Sequence, residues 1–242
     1  MATGGWTRNL LWDGVRRMHN TKYSWDKLPE PLARLSKAAV LVPLVIEDGQ
    51  LYVWLTERSQ NVTHDKGHVS FPGGMRDAHD TDAVDTCLRE AEEEIGLERS
   101  QVEVVGELLP FINYRQTLIT PIIGLVSNDF QPKPNTEVVL AFRLPLARFL
   151  SSHAHWTLTY GENRFVHFFR DDVKQESITT WGLTASVCIK VACVLLRRGP
   201  DFQFDLDGTF SQQDPWKWQM TYLESYTAAN QPEGYKALTS KL

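Results

Sequence analysis

Phe71-Pro72-Gly73-Gly74 and, after a short polar bend, Arg89-Glu90-Ala91-Glu92-Glu93-Glu94-Ile95-Gly96-Leu97 decide how this 242-residue chain folds. The second stretch reads as a helix stopped at Gly96, the residue type that closes a helix in a left-handed conformation. Val84, Cys87, Leu88, Ala91 and Ile95 gather on one side as the buried stripe. Measured from Ala91, Glu94 lies roughly 60° to one flank, Glu90 roughly 100° and Glu93 roughly 160°, at 3.6 residues per turn. Three carboxylates therefore share one edge of the helix, beside the core, while Glu92 points away.

Like charges at i,i+4 destabilise a helix by roughly 0.2–0.5 kcal/mol per pair, and crowding raises at least one pKa. A divalent cation relieves both. Oxygen ligands with an open coordination sphere suit Mg²⁺ or Mn²⁺, ions that also bind phosphate oxygens. A solvated acidic face is the competing reading. The glycine pair shifts the balance toward a metal-dependent phosphate site, because without Cβ atoms the backbone approaches an ion or phosphate closely. Arg58, Lys66 and Arg76 nearby suit a polyanionic ligand.

Gly74, the acid Asp80 and the run from Arg89 to Leu97 resemble the Nudix box, the signature of hydrolases that cut nucleoside diphosphates linked to another group. Two features depart from the usual box. The first acid is Asp80 rather than Glu, and one extra residue separates Gly74 from Arg89. Both are similar to the coenzyme A diphosphatase branch, as are Asp77 and Asp82 in the same turn. Upstream, Leu55-Thr56-Glu57-Arg58-Ser59, Gly67 and Phe71-Pro72-Gly73-Gly74 resemble that branch's additional signature. Thr63 stands where the branch usually has Arg.

The resemblance implies an α/β Nudix fold, a mixed β-sheet sandwiched between α-helices. It implies Mg²⁺- or Mn²⁺-dependent hydrolysis of the diphosphate of coenzyme A or its esters. The products would be adenosine 3′,5′-bisphosphate and 4′-phosphopantetheine or its acyl form. Glu90 and Glu94 are the expected metal ligands. Glu93 is a further ligand or the catalytic base, and the Gly74 carbonyl completes the shell. Arg89 orients a ligand carboxylate. Arg58, Lys66, Gly67 and Arg76 form the expected substrate-binding set, and Glu137 is a rival for the base. The alternatives are a Nudix hydrolase of NADH or ADP-ribose and a non-catalytic acyl-coenzyme A binding module. The intact Glu90, Glu93 and Glu94 argue against the module.

The remaining sequence divides into three parts. Residues 1–37 read as a helix over 6–18 (Trp6, Leu10, Leu11, Val15, Met18) and a polar connector over 20–37. Residues 38–200 are the hydrolase domain. Its clearest turn is Glu47-Asp48-Gly49 between two β-rich runs. Further strands cover Val102–Val105, 118–126, 137–146 and 165–169, with Pro121 suiting an edge or a bulge. A core helix runs from Trp181 to Leu196, apolar for about 13 residues where a bilayer needs about 20. Residues 201–242 hold a connector, a helix opened by Asp214-Pro215 with Trp216, Met220 and Leu223 on one face and Tyr226 at its edge, and a loose tail.

The formal charge of −5, from 25 basic and 30 acidic residues, argues against non-specific nucleic-acid or anionic-membrane binding. Three cysteines without a CxxC pair indicate buried thiols in a reducing compartment. The final Ser240-Lys241-Leu242 reads as a peroxisomal address, of the kind an import receptor recognises. Arg8, Arg16 and Arg17 make the first helix faintly like a mitochondrial targeting segment, the other reading of location.

Overall fold

The computed structural model describes residues 5–20, 22–160, 164–206, 210–211 and 214–229. The chain opens with α1 (Arg8–Arg16), whose Thr7 hydroxyl accepts the Leu10 N–H at 3.4 Å and whose Leu11 and Val15 are buried. The 20–37 stretch is more structured than the connector expected from its polarity. It carries a 3₁₀ turn (Trp25–Lys27) and the one-turn helix α2 (Glu30–Ala33), and Trp25 Nε1–H donates to the Thr120 hydroxyl at 2.9 Å. Tyr23 and Leu32 are buried, and Trp25, Leu28 and Leu35 pack half-buried against the same core, which anchors the segment.

β1 (Ser36–Glu47) and β2 (Gln50–Arg58) form the expected hairpin. Asp48 and Gly49 both have positive φ (49° and 72°), the backbone that matches strand twist in a two-residue turn. The short strands β3 (Val69–Ser70) and β4 (Gly73–Met75) lead to α3 (Ala83–Ile95). β5 (Val102–Glu107), β6 (Phe111–Ile112), β7 (Thr117–Val126) and β8 (Val138–Pro145) complete an eight-stranded sheet. β1 runs parallel to β7 and antiparallel to β2 and β4, so the sheet is mixed.

Alternation along β1 divides the core. Ala39 and Leu41 pack with Cys87, Leu88, Ala91 and Ile95 of α3. Val42 and Leu44 belong to the other cluster, with Leu11 and Val15 of α1.

Pro121 does not sit at an edge. It lies in β7, between β1 and β5, in register with Val40. Its carbonyl accepts the Leu108 N–H at 2.9 Å. A residue's N and O point the same way from a strand, so the missing N–H faces the gap between the end of β5 at Glu107 and the start of β6 at Phe111. The β5–β7 register also shifts close by, between Val104 and Gly106. The proline is tolerated because no ladder bond is required of it there.

The aromatic run at 165–169 belongs to a second sheet, in which β9 (His155–Tyr160), β10 (Arg164–Val173) and β11 (Glu176–Trp181) pair antiparallel. Phe169 faces the core, while Trp156, Phe168 and Trp181 align on the other face. α4 (Gly182–Leu196) follows directly and buries both Cys188 and Cys193; Cys87 of α3 is buried too, and all three thiols are free. Lys190 is buried within α4, its Nζ 4.9 Å from the Trp216 ring centre and 5.1 Å from that of Phe111. Among the described residues no helix is long and apolar enough to cross a membrane.

The last helix, α5 (Lys217–Ala229), starts later than the Asp214-Pro215 signal places it. Asp214 to Lys217 form a turn, closed by the Lys217 N–H to the Asp214 carbonyl at 3.3 Å, and Trp216 instead buries its ring against Phe111. Leu223 is buried and Met220 and Tyr226 pack beside it, as expected. Gln219 is buried as well, its amide donating to the Pro110 carbonyl at 2.8 Å. Ser240-Lys241-Leu242 lie outside the described residues.

Candidate active site

The centre of the site is the contact between β4 and α3, built on glycine. Gly73 has φ 151°, and a Cβ there would lie 2.4 Å from the Ala39 carbonyl oxygen, so only glycine lets β4 pair this closely with β1. A Cβ on Gly74 would meet the Glu90 carboxylate oxygens at 2.6 Å. The glycine pair thus lets the box helix press its carboxylates against the backbone of β4.

α3 is capped at both ends. The Asp82 side chain accepts the Asp85 N–H, and Gly96 closes the helix with φ 67°. Side-chain exposure across the acidic edge is 4% at Glu94, 18% at Glu90 and 57% at Glu93. That order follows the helical angles read from the sequence. Glu92 is exposed.

Both Glu94 oxygens are engaged. Oε2 accepts the Gly73 N–H at 3.1 Å, and Oε1 faces the Arg58 guanidinium at 3.3 Å. Burial pushes the Glu94 pKa up to about 7, against the lowering effects of the Gly73 amide and Arg58. Burial likewise raises that of Glu90, which Arg89 partly offsets at 2.8 Å. Arg58 reaches a second carboxylate, Glu137, at 3.7 Å from the strand entry of β8.

Arg89 holds more than one carboxylate. Its main partner is Asp80, which takes two hydrogen bonds at 3.0 and 2.9 Å. It also donates to the Met75 carbonyl at 3.1 Å and Glu90 at 2.8 Å, and lies 3.4 Å from Glu93. Asp80 further accepts from the Asp77 N–H and the Thr86 hydroxyl, at 2.8 and 2.9 Å. These bonds, that of Arg89 foremost, hold the Asp80 carboxyl well below the usual carboxylate range. Asp80 therefore braces the helix through Arg89. The bracing role of Thr86 and of the Met75 carbonyl has no sequence signal, because it depends on where the bend returns.

The cationic set separates. Arg58 is at the centre, positioned by its N–H donating to the His68 carbonyl and its carbonyl accepting the Gly67 N–H, both at 3.0 Å. Gly67, with φ 68°, makes that turn, and its amide is spent on Arg58. Arg76 donates to the Asp80 carbonyl at 3.3 and 3.1 Å and lies 5.5 Å over the Trp25 ring. Lys66 and Thr63 are exposed. Among the described residues no three His, Cys, Asp or Glu side chains gather as a ready-made metal cage.

A glycine-closed β-strand, a braced bend and an acidic helix, set on a mixed sheet, define the Nudix fold with its box at the working edge. Comparison with known proteins agrees. The NUDIX domain matches residues 35–149. The chain is 38% identical over 178 residues to "Peroxisomal coenzyme A diphosphatase NUDT7" of Mus musculus, covering 71% of this chain and 75% of that protein. It is 40% identical over 176 residues to "Nudix hydrolase 15, mitochondrial" of Arabidopsis thaliana, covering 69% of this chain and 61% of the relative. It is 36% identical over 174 residues to "Uncharacterized Nudix hydrolase NudL" of Photorhabdus laumondii, covering 69% and 90%. The chain belongs to the Nudix hydrolase family.

Proposed function

We propose that this Nudix hydrolase cuts the diphosphate of coenzyme A and its esters, giving adenosine 3′,5′-bisphosphate and 4′-phosphopantetheine or its acyl form. One observation carries the reading: Arg58, from the upstream segment similar to the coenzyme A branch, reaches Glu94 of the box at 3.3 Å. The two motifs thus form one site. The mouse relative, by its name a coenzyme A diphosphatase, supports the same substrate.

The donor set fits Mg²⁺ or Mn²⁺. Mg²⁺ is commonly held by one or two carboxylates together with substrate phosphates and water, so a complete protein cage is not required. Glu90 and Glu94 would hold it, with Glu93 and the Gly74 carbonyl as further donors; a Cβ at Gly74 would collide with the Glu90 carboxylate, so that side of the cradle is kept open. When bound, such an ion neutralises charge on the diphosphate and makes water a better nucleophile.

The chain's own groups do the rest. The Gly73 N–H orients Glu94, and Arg89 orients Glu90 while fixing the bend through Asp80. Glu93 is the exposed member, able to accept the proton of the attacking water as P–O cleavage proceeds; Glu137 is the rival for that role. Arg58, Lys66 and Arg76 supply positive charge for the phosphates, and the Gly67 turn sets the Arg58 backbone.

The assembly we favour is a hydrolase unit over 38–200, an N-terminal accessory segment over 1–37 and a C-terminal helix and targeting tail over 201–242. Peroxisomal delivery through Ser240-Lys241-Leu242 and its import receptor completes the reading. The name of the mouse relative is in line with it, and that of the Arabidopsis relative specifies mitochondria. The test is product chromatography with coenzyme A and, separately, NADH in Mg²⁺. Adenosine 3′,5′-bisphosphate from coenzyme A with slow NADH cleavage is expected. AMP from NADH with coenzyme A untouched would transfer the activity to dinucleotides and make Thr63 the deciding departure; no cleavage of either would favour a binding module.

A further inference from the structure

Glu94 has two oxygens and both are already occupied, one by the Gly73 N–H and one by Arg58. Its side chain is 4% exposed and that of Arg58 21%, so this ion pair is largely shielded from water. Arg58 also has a second carboxylate in reach, since Glu137 lies 3.7 Å from its other terminal nitrogen and is 56% exposed. A divalent cation that uses Glu94 therefore competes with a resident guanidinium, and that guanidinium has another partner waiting.

We propose that Arg58 is the built-in counter-ion of Glu94, which yields that carboxylate to the divalent cation and remains tethered by Glu137. Besides the charge it offers the phosphates, Arg58 thereby positions Glu94. It offsets part of the buried Glu94 charge and keeps that side chain turned inward when no metal is bound, and it tunes metal affinity by competition. This rests on the proposed metal-dependent reading, but not on which diphosphate is cut. The backbone supports it: the turn at Gly67 and the bond to His68 fix Arg58 at its root, so its long side chain alone has to move.

The experiment is Mn²⁺ titration of metal-free protein, followed by electron paramagnetic resonance, with thermal unfolding measured with and without Mn²⁺. Arg58→Gln removes the competitor. It is expected to bind Mn²⁺ at least roughly fivefold more tightly, the low end of a typical coupling between two competing ligands. It should also melt lower than wild type without metal, and gain more in Tm from Mn²⁺ than wild type does. Arg58→Lys keeps the charge and is expected to stay within about twofold of wild type in affinity, below that coupling. A purely structural arginine would lower the metal-free Tm in Arg58→Gln yet leave the Mn²⁺ affinity unchanged. That result, or weaker binding, overturns the proposal. Mn²⁺ bound by wild type with no Arg58 effect removes only the counter-ion role. No Mn²⁺ bound by wild type removes the metal reading and this inference with it.

Discussion

Glu94→Gln should stabilise the metal-free protein at alkaline pH. The wild-type carboxyl is buried, and its pKa rises from 4.5 to about 7 on folding. A carboxyl whose folded value exceeds its unfolded one holds its proton more tightly in the folded state. Its contribution is therefore fully present below about pH 4.5 and is lost as pH rises through about 7. A shift of this size, at 1.36 kcal/mol per unit, corresponds to at most about 3 kcal/mol of stability lost between pH 4 and pH 8. Glutamine carries no charge to bury, and its amide oxygen still accepts the Gly73 N–H. Arg58 retains Glu137 as a partner. Urea denaturation in chelator at pH 5 and pH 8 tests this. The variant should match wild type within about 1 kcal/mol at pH 5 and exceed it by about 1–3 kcal/mol at pH 8. A variant less stable than wild type at pH 8 without metal would refute the reasoning, because Arg58 and Gly73 would then more than compensate the buried charge.

Gly73→Ala places a Cβ 2.4 Å from the Ala39 carbonyl oxygen, at a φ of 151°. Strain and displacement of β4 should cost roughly 2–4 kcal/mol in chemical denaturation; a loss under about 0.5 kcal/mol, the range of an ordinary surface change, would show that the close pairing with β1 is not needed. Arg89→Lys keeps the charge but cannot reproduce the paired bonds to Asp80 and the contacts to Glu90 and the Met75 carbonyl. Steady-state turnover should fall roughly 10- to 100-fold, as when an outer partner of a metal ligand is lost; wild-type turnover would mean that the bend is braced by other contacts.

Local chemistry makes the box helix legible in the sequence. Its apolar stripe, its stop at Gly96 and the graded turn of Glu94, Glu90 and Glu93 from core to water all follow from 3.6-residue periodicity. The hairpin at Asp48-Gly49 was equally plain, because two adjacent positive-φ residues leave few other structures. Non-local contacts were not readable. Polarity alone marks 20–37 as a connector, yet its Trp25, Tyr23 and Leu32 are docked by surfaces that come from elsewhere in the chain. Pro121 lies in a central strand because the neighbouring strands leave a gap there. β9 and β11 have no clear sequence signature, since Trp156 and Trp181 sit in strands exposed on one face and carry no long apolar run. Within the site, the sequence marks the acids but not their partners. The pairing of Arg58 with Glu94 depends on β2 and α3 meeting, and the bond from Arg89 to Asp80 depends on the bend folding back.

The most direct measurement is turnover of Glu94→Gln with coenzyme A at saturating Mg²⁺, alongside circular dichroism to show that the fold is kept. A residue that holds the metal should cost more than the roughly 10- to 100-fold lost with an outer partner, so the variant is predicted to be inactive while remaining folded. Turnover near that of wild type in a folded Glu94→Gln would contradict the placement of the metal and the site built around it.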